Sequence, residues 1–121
     1  MSLCRRTLVI ALASLGVTAR AGVSPAEQAR IDRLIAFVET RKGVTFIRNG
    51  NDYSCEEAAK FMRGKMKMMG GDVSTAQQFI DQIASKSSTT GQPYLVRFTD
   101  GKTQLVAKFL GDELMRMDGK Y

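Results

Sequence analysis

Two clusters of residues carry the chemistry this chain can offer. Ser85, Ser87, Ser88, Thr89 and Thr90 place five hydroxyls in six positions, with Lys86 among them, and Gly91 and Pro93 punctuate the exit to Tyr94. Successive hydroxyls and backbone N–H groups in such a loop can hold an anion or a peptide carboxylate. They can equally satisfy the loop's own backbone. Arg48, Asn49 and Tyr53 form the second cluster, and Arg97 occupies a similar segment further along. A guanidinium takes carboxylate or phosphate bidentately, so Arg48 and Arg97 are expected to reach the same side as the hydroxyl loop. The competing reading is a cross-strand ion pair with Asp52 or Asp100. The candidate binding set is therefore Arg48, Asn49, Tyr53, Ser87, Ser88, Thr89, Thr90, Tyr94 and Arg97.

Other chemistries are excluded by residue type. The sequence has no histidine, which removes Ser–His and Cys–His pairs and histidine metal sites. Its two cysteines, Cys4 and Cys55, are too few for a thiolate zinc site, and no cofactor or metal is expected. Ser85 or Ser87 beside Lys86 leaves a Ser/Lys hydrolase as a remote alternative, although neighbours in a loop seldom point together. Cys55 near a helix start has a setting that can lower a thiol pKa; the small apolar residues after it point instead to burial. No tryptophan is present for a sugar-stacking cleft. Met62, Met66 and Met69 share a helical stripe, read as core or as an adaptable partner-binding groove, with copper(I) binding not favoured. Lys60, Arg63, Lys65 and Lys67 are expected to cover an outer helix face, either solvated or against an acidic partner or anionic surface.

Upstream of these clusters, residues 1–21 read as a secretory signal peptide: Arg5 and Arg6, the apolar run Thr7–Val17, then Ala19-Arg20-Ala21. The run is too short to span a bilayer as a helix, which needs about 20 residues. Cleavage after Ala21 is expected to leave one domain, 22–121, with no transmembrane segment, periplasmic or secreted. Cys4 leaves with the leader, so Cys55 has no intramolecular partner. Arg5, Arg6 and Arg20 leave too, taking Lys+Arg from 18 to 15 against 12 acids and the net charge from +6 to +3. That balance and the export reading argue against a nucleic-acid partner.

The elements that must position the clusters are legible from caps and periodicity. Ser24-Pro25-Ala26-Glu27 reads as a capping box with Pro at the first helical position. Ile31, Leu34, Ile35 and Val38 then recur at helical spacing up to Arg41-Lys42-Gly43. Val44–Arg48 is β-prone, Asn49-Gly50 is a hairpin turn, and Asn51–Tyr53 returns. Ser54 and Glu57 open a second helix that Gly70-Gly71 stops. A third is expected from Ser74, with Gln77 in the box position and Phe79, Ile80 and Ile83 facing the core. Tyr94–Phe98, a turn at Asp100-Gly101 and Thr103–Val106 make a second hairpin. A last helix uses Phe109, Leu110, Leu114 and Met117, weakened at Gly111.

The predicted fold is α+β: four helices and two short hairpins in one small antiparallel sheet. Ser24–Ala36 and Ser74–Ser85 look alike, and each precedes a hairpin and a helix, so the chain is read as an α–ββ–α unit used twice. Chance is the competing explanation, since the cap and turn motifs are common.

The segment Thr45-Phe46-Ile47-Arg48-Asn49-Gly50, Tyr53, Glu57-Ala58-Ala59 and Lys65 resembles one block of a family of exported bacterial proteins. Thr75-Ala76, Phe79-Ile80, Ile83-Ala84-Ser85, Ser87-Ser88, Gly91, Pro93-Tyr94 and Asp100-Gly101 resemble its second block. The chain is similar, over most of Ile31–Met117, to the domain-of-unknown-function family 5329. It departs from that pattern at Gln104-Leu105-Val106-Ala107, where the family carries Pro-Ser before the last helix. The resemblance implies export and a small α+β domain; it supplies no activity. The expected function is a non-catalytic binding module of the bacterial envelope whose partner is a protein or peptide. The alternative is a small-ligand or anion binder using the 85–94 loop and the hairpin arginines.

Overall fold

Helix α1, Pro25–Glu39, starts as its cap predicts: Ser24 Oγ accepts from the Glu27 N–H at 3.2 Å and Pro25 takes the first position. Glu27 does not close the box. Its carboxylate accepts instead from the Ala76 N–H at 2.8 Å and from Arg30 at 2.7 Å, so it caps a different helix and ties α1 to it. The computed structural model describes residues 23–119; the leader read over 1–21, with Cys4 and its arginines, lies outside them.

Strands β1 (Thr45–Arg48) and β2 (Asn51–Tyr53) follow, joined by Asn49-Gly50. Both turn residues have positive φ, 52° and 80°, the geometry that matches strand twist in a two-residue turn. Helix α2, Cys55–Met69, carries the complete box: Ser54 Oγ accepts from the Glu57 N–H and the Glu57 carboxylate accepts from the Ser54 N–H.

The third helix differs from expectation. Thr75 is its cap, accepting from the Gln78 N–H; Ser74 instead donates both its N–H and hydroxyl to the Gln78 side chain. Helix α3 is only Ala76–Phe79 and widens into a π-helical turn over Ile80–Ala84, where Ser85 Oγ donates to the Asp81 carbonyl. Phe79, Ile80, Ile83 and Ala84 are all buried there.

Strands β3 (Leu95–Arg97) and β4 (Thr103–Leu105) complete the sheet, and α4 (Val106–Met117) begins directly after β4. Val106, expected at the end of the strand, is the first helical residue and is 1% exposed. The second hairpin is wider than a two-residue turn: Phe98 and Lys102 close it, with Gly101 at φ +88°.

The sheet is antiparallel throughout, in the order β2-β1-β3-β4, so the hairpins lie side by side. The central register is symmetric, with Phe46 opposite Val96, Thr45 opposite Arg97 and Ile47 opposite Leu95. Fifty residues therefore separate equivalent positions of β1 and β3, and the order α–β–β–α occurs twice. Alternation sends Phe46 and Val96 into the core against α2 and α4. Ile47, Leu95 and Leu105 share the other face, which is half-buried or exposed. One core joins Ile31, Leu34 and Val38 of α1 to Ala59 and Met62 of α2, to Phe79 and Ile83, and to Leu110 and Leu114 of α4.

Candidate functional site

Arg48 ends β1 on the same face as Phe46, which brings it over α2. Its guanidinium lies 4.3 Å from the centre of the Phe61 ring and 6.0 Å from that of Tyr53, and Nη1 donates to the Tyr53 hydroxyl at 3.2 Å. Its Nε is buried with no hydrogen-bond partner among the described residues. Cation–π stacking holds this cation, where a carboxylate would be the usual partner.

Arg97 does not join it. The symmetric register puts Arg97 opposite Thr45, on the face away from the helices, where it donates to Asp52 at 2.7 Å. That ion pair raises the Arg97 pKa above its ordinary value. The convergence of the two arginines expected from sequence is thus corrected: one inter-residue step of strand alternation separates the faces.

The hydroxyl loop does reach the first hairpin. It folds back on itself through Ser87 N–H to the Gln92 carbonyl, Gly91 N–H to the Ser87 carbonyl and Tyr94 N–H to the Ser85 carbonyl. Asn49 stitches the hairpin to it, donating to Ser87 Oγ at 3.3 Å and accepting from Thr90 Oγ1 at 2.6 Å. Ser87, buried, also accepts from the N–H groups of Thr89 and Thr90. Most of the loop's hydroxyls therefore serve its own architecture. Ser88 is the outward one, donating to Met69 Sδ at 3.6 Å.

Lys65 was expected on the outer face of α2 and is buried instead, 6% exposed. Its Nζ donates to the Lys86 carbonyl at 2.8 Å and to the Tyr94 hydroxyl at 3.0 Å, clamping the loop onto the helix. The spacing explains the correction: Lys65 stands three residues from Met62 and seven from Ala58, in phase with the buried stripe. The methionine stripe also divides. Met62 is core, whereas Met69 is 53% exposed and Met68, off the stripe, 85%.

These residues enclose two hollows that share Arg48, Phe61 and Tyr94 as a wall. The first, about 310 Å³, lies between the first hairpin and α2 and is lined by Phe46, Tyr53, Ala58, Lys60, Met62 and Val106. The second, also about 310 Å³, is floored by Gly64, Lys65, Met68 and Met69 and rimmed by Ser87, Ser88 and Thr89. Phe61 and Tyr94 meet edge-on at 6.0 Å in the partition. Arg30, Arg63, Arg97 and Arg116 all have carboxylate partners. Arg48 and Lys65 have none among the described residues, and Glu57, at the first hollow, is engaged in its cap.

Phe61, Ala58, Gly64 and Lys65 belong to this site and escaped the sequence reading of site residues. Gly64 left a signal: a glycine inside a helix costs about 1 kcal/mol relative to alanine, and an added Cβ here would meet no atom within 4 Å. Cys55 is buried, as its neighbours suggested. No group of three or more metal-ligating residues exists among the described residues, and no described helix is long and apolar enough to cross a membrane.

A family described as "Family of unknown function (DUF5329)" matches residues 25–118. The chain is also 41% identical over 91 residues to a Salmonella typhimurium protein named "Uncharacterized protein YfeK", a match covering 74% of this chain and 76% of that one. No solved structure matches it.

Proposed function

The chain belongs to that family of unknown function, and from its own geometry we propose that it is a non-catalytic binding module of the bacterial cell envelope. Its recognition face is the seam where the first hairpin, α2 and the 85–94 loop meet, and its partner is an envelope protein or peptide. The observation that carries the reading is the pairing of two apolar hollows with a partly buried arginine that has no carboxylate partner among the described residues, beside exposed Met68 and Met69. Thioethers adapt to varied apolar partners, and exposed apolar groups rimmed by polar ones mark interaction sites. The three-part pattern of residues 1–21 supports export.

A catalytic role has less support. Ser85 Oγ donates to the Asp81 carbonyl, Ser87 Oγ bonds to the Asn49 amide and the Thr89 hydroxyl, and neither bonds to Lys86 Nζ among the described residues. The anion-binding alternative narrows to Arg48, since Arg97 lies on the other face.

Affinity capture from periplasmic extract tests the proposal. The mature chain is expected to recover one protein stoichiometrically, and Met68→Asp or Arg48→Gln to lose it. Recovery of nothing, or recovery indifferent to both substitutions, would overturn it.

A further inference from the structure

The symmetry of the sheet gives an internal control for the first hollow. Arg48 and Phe98 occupy equivalent positions, each the residue after the last β1–β3 pairing and each turned toward the helix that follows its hairpin. Phe98 packs on Phe109 of α4 at 5.9 Å, and Phe109 also meets Phe37 and Phe46, so aromatic rings fill the space at that position; a separate hollow of about 540 Å³ lies further along α4, against Phe37, Glu113 and Met117. In the first half the same position carries a cation, the space beside it is open, and Gly64 keeps the neighbouring floor low. The architecture does not require a hollow here, since its other half closes one.

We infer that the first hollow captures the C-terminal residue of a partner polypeptide: its carboxylate on Arg48 and its large apolar side chain among Phe46, Phe61, Met62 and Val106. This rests on the binding-module reading and names the chemistry of its partner. Three features argue for that occupant. Among the described residues Arg48 makes one hydrogen bond through Nη1 and none through Nη2, so donors remain for a carboxylate, and such charge-assisted bonds are the strong ones. A hollow of about 310 Å³, lined mainly by apolar side chains, has room for a large apolar side chain. Beyond the Arg48–Phe61 wall the second hollow continues past Gly64 to Met68, Met69 and Ser88, giving the preceding residues of a chain a surface to lie on. A free acid would leave that surface unused.

Calorimetric titration of the mature chain tests this with the peptide acetyl-Gly-Ser-Gly-Ala-Phe carrying a free C-terminus, its C-terminal amide, and N-acetylphenylalanine. The free acid is expected to bind saturably and the amide about tenfold or more weakly, the loss of one charge-assisted contact. Arg48→Gln should bring the acid down to the amide's affinity. Gly64→Leu, a favourable helix substitution, should weaken the peptide and spare N-acetylphenylalanine. Equal titration by acid and amide overturns the inference, as does N-acetylphenylalanine binding as tightly as the peptide, which would make this a free-acid site. No saturable binding overturns it as well. If capture from extract still depends on Arg48 and Met68 while the peptides fail, the module reading stands and the terminus falls; if both fail, neither stands.

Discussion

Replacing Lys65 by methionine asks whether a buried ammonium without a counter-ion among the described residues holds the site together. The side chain is 6% exposed, and its two hydrogen bonds, to the Lys86 carbonyl and the Tyr94 hydroxyl, join α2 to the loop that bounds the second hollow. Bonds to a charged group are worth about 1.5–3 kcal/mol each, so deleting both removes roughly 3–6 kcal/mol. Against this, methionine keeps most of the apolar stem and removes a desolvation penalty of several kcal/mol. The freed carbonyl belongs to exposed Lys86 and recovers bonding from water, whereas the phenol of buried Tyr94 is left with less. The balance is a destabilisation of about 1–3 kcal/mol. With a urea dependence of about 1–1.5 kcal/mol per molar for a small domain, the unfolding midpoint should fall by about 0.7–3 M. Amide exchange should accelerate first at Ser87, Gly91 and Tyr94, whose N–H groups close the loop. A midpoint unchanged or raised would refute the reasoning: the charge would then cost as much as its bonds return.

Acid should weaken the domain through two glutamates. Glu27 is held below its ordinary value of 4.5 by the Ala76 N–H and by Arg30, and Glu39 by Arg63. A carboxyl lowered in the folded state stabilises above its unfolded pKa, and that contribution is lost as pH falls through the folded value. Urea midpoints should therefore be flat above about pH 5.5 and drop below 4.5, with a shallower drop in Glu27→Gln; an identical drop would remove Glu27 from the account. Ser54→Ala should cost about 0.5–2 kcal/mol by opening the capping box of α2, read as a lower thermal midpoint, whereas Ser74→Ala, which removes no cap, should cost less. Equal losses would contradict the assignment of Thr75 as the cap.

Local rules carried much of the fold. Ser54 and Glu57, Asn49-Gly50 and the spacing of Ile31, Leu34, Ile35 and Val38 act within a few residues of chain, and each produced the element it implied. They failed where a distant group competed for the same atom. Glu27 stands in the box position three residues after Ser24, yet its carboxylate accepts from the Ala76 N–H because packing brings α3 to it. Val106 reads as strand by composition and became helix because β4 ends against a core that α4 must enter immediately.

For the site, residue types were legible and companionship was not. The sequence alone determined that hydroxyls, an arginine and a methionine-bearing helix were available without histidine chemistry, because composition and short-range spacing are properties of the chain. Which arginine meets the loop depended on pairing across the sheet: Phe46 opposite Val96 sets the phase that turns Arg48 inward and Arg97 outward. Which lysine is buried, and that Arg48 has an aromatic ring beneath it where Arg97 has a carboxylate beside it, were decided by the packing of α2 on the hairpin. Register and helix docking join residues far apart in the chain, and no local pattern specifies them.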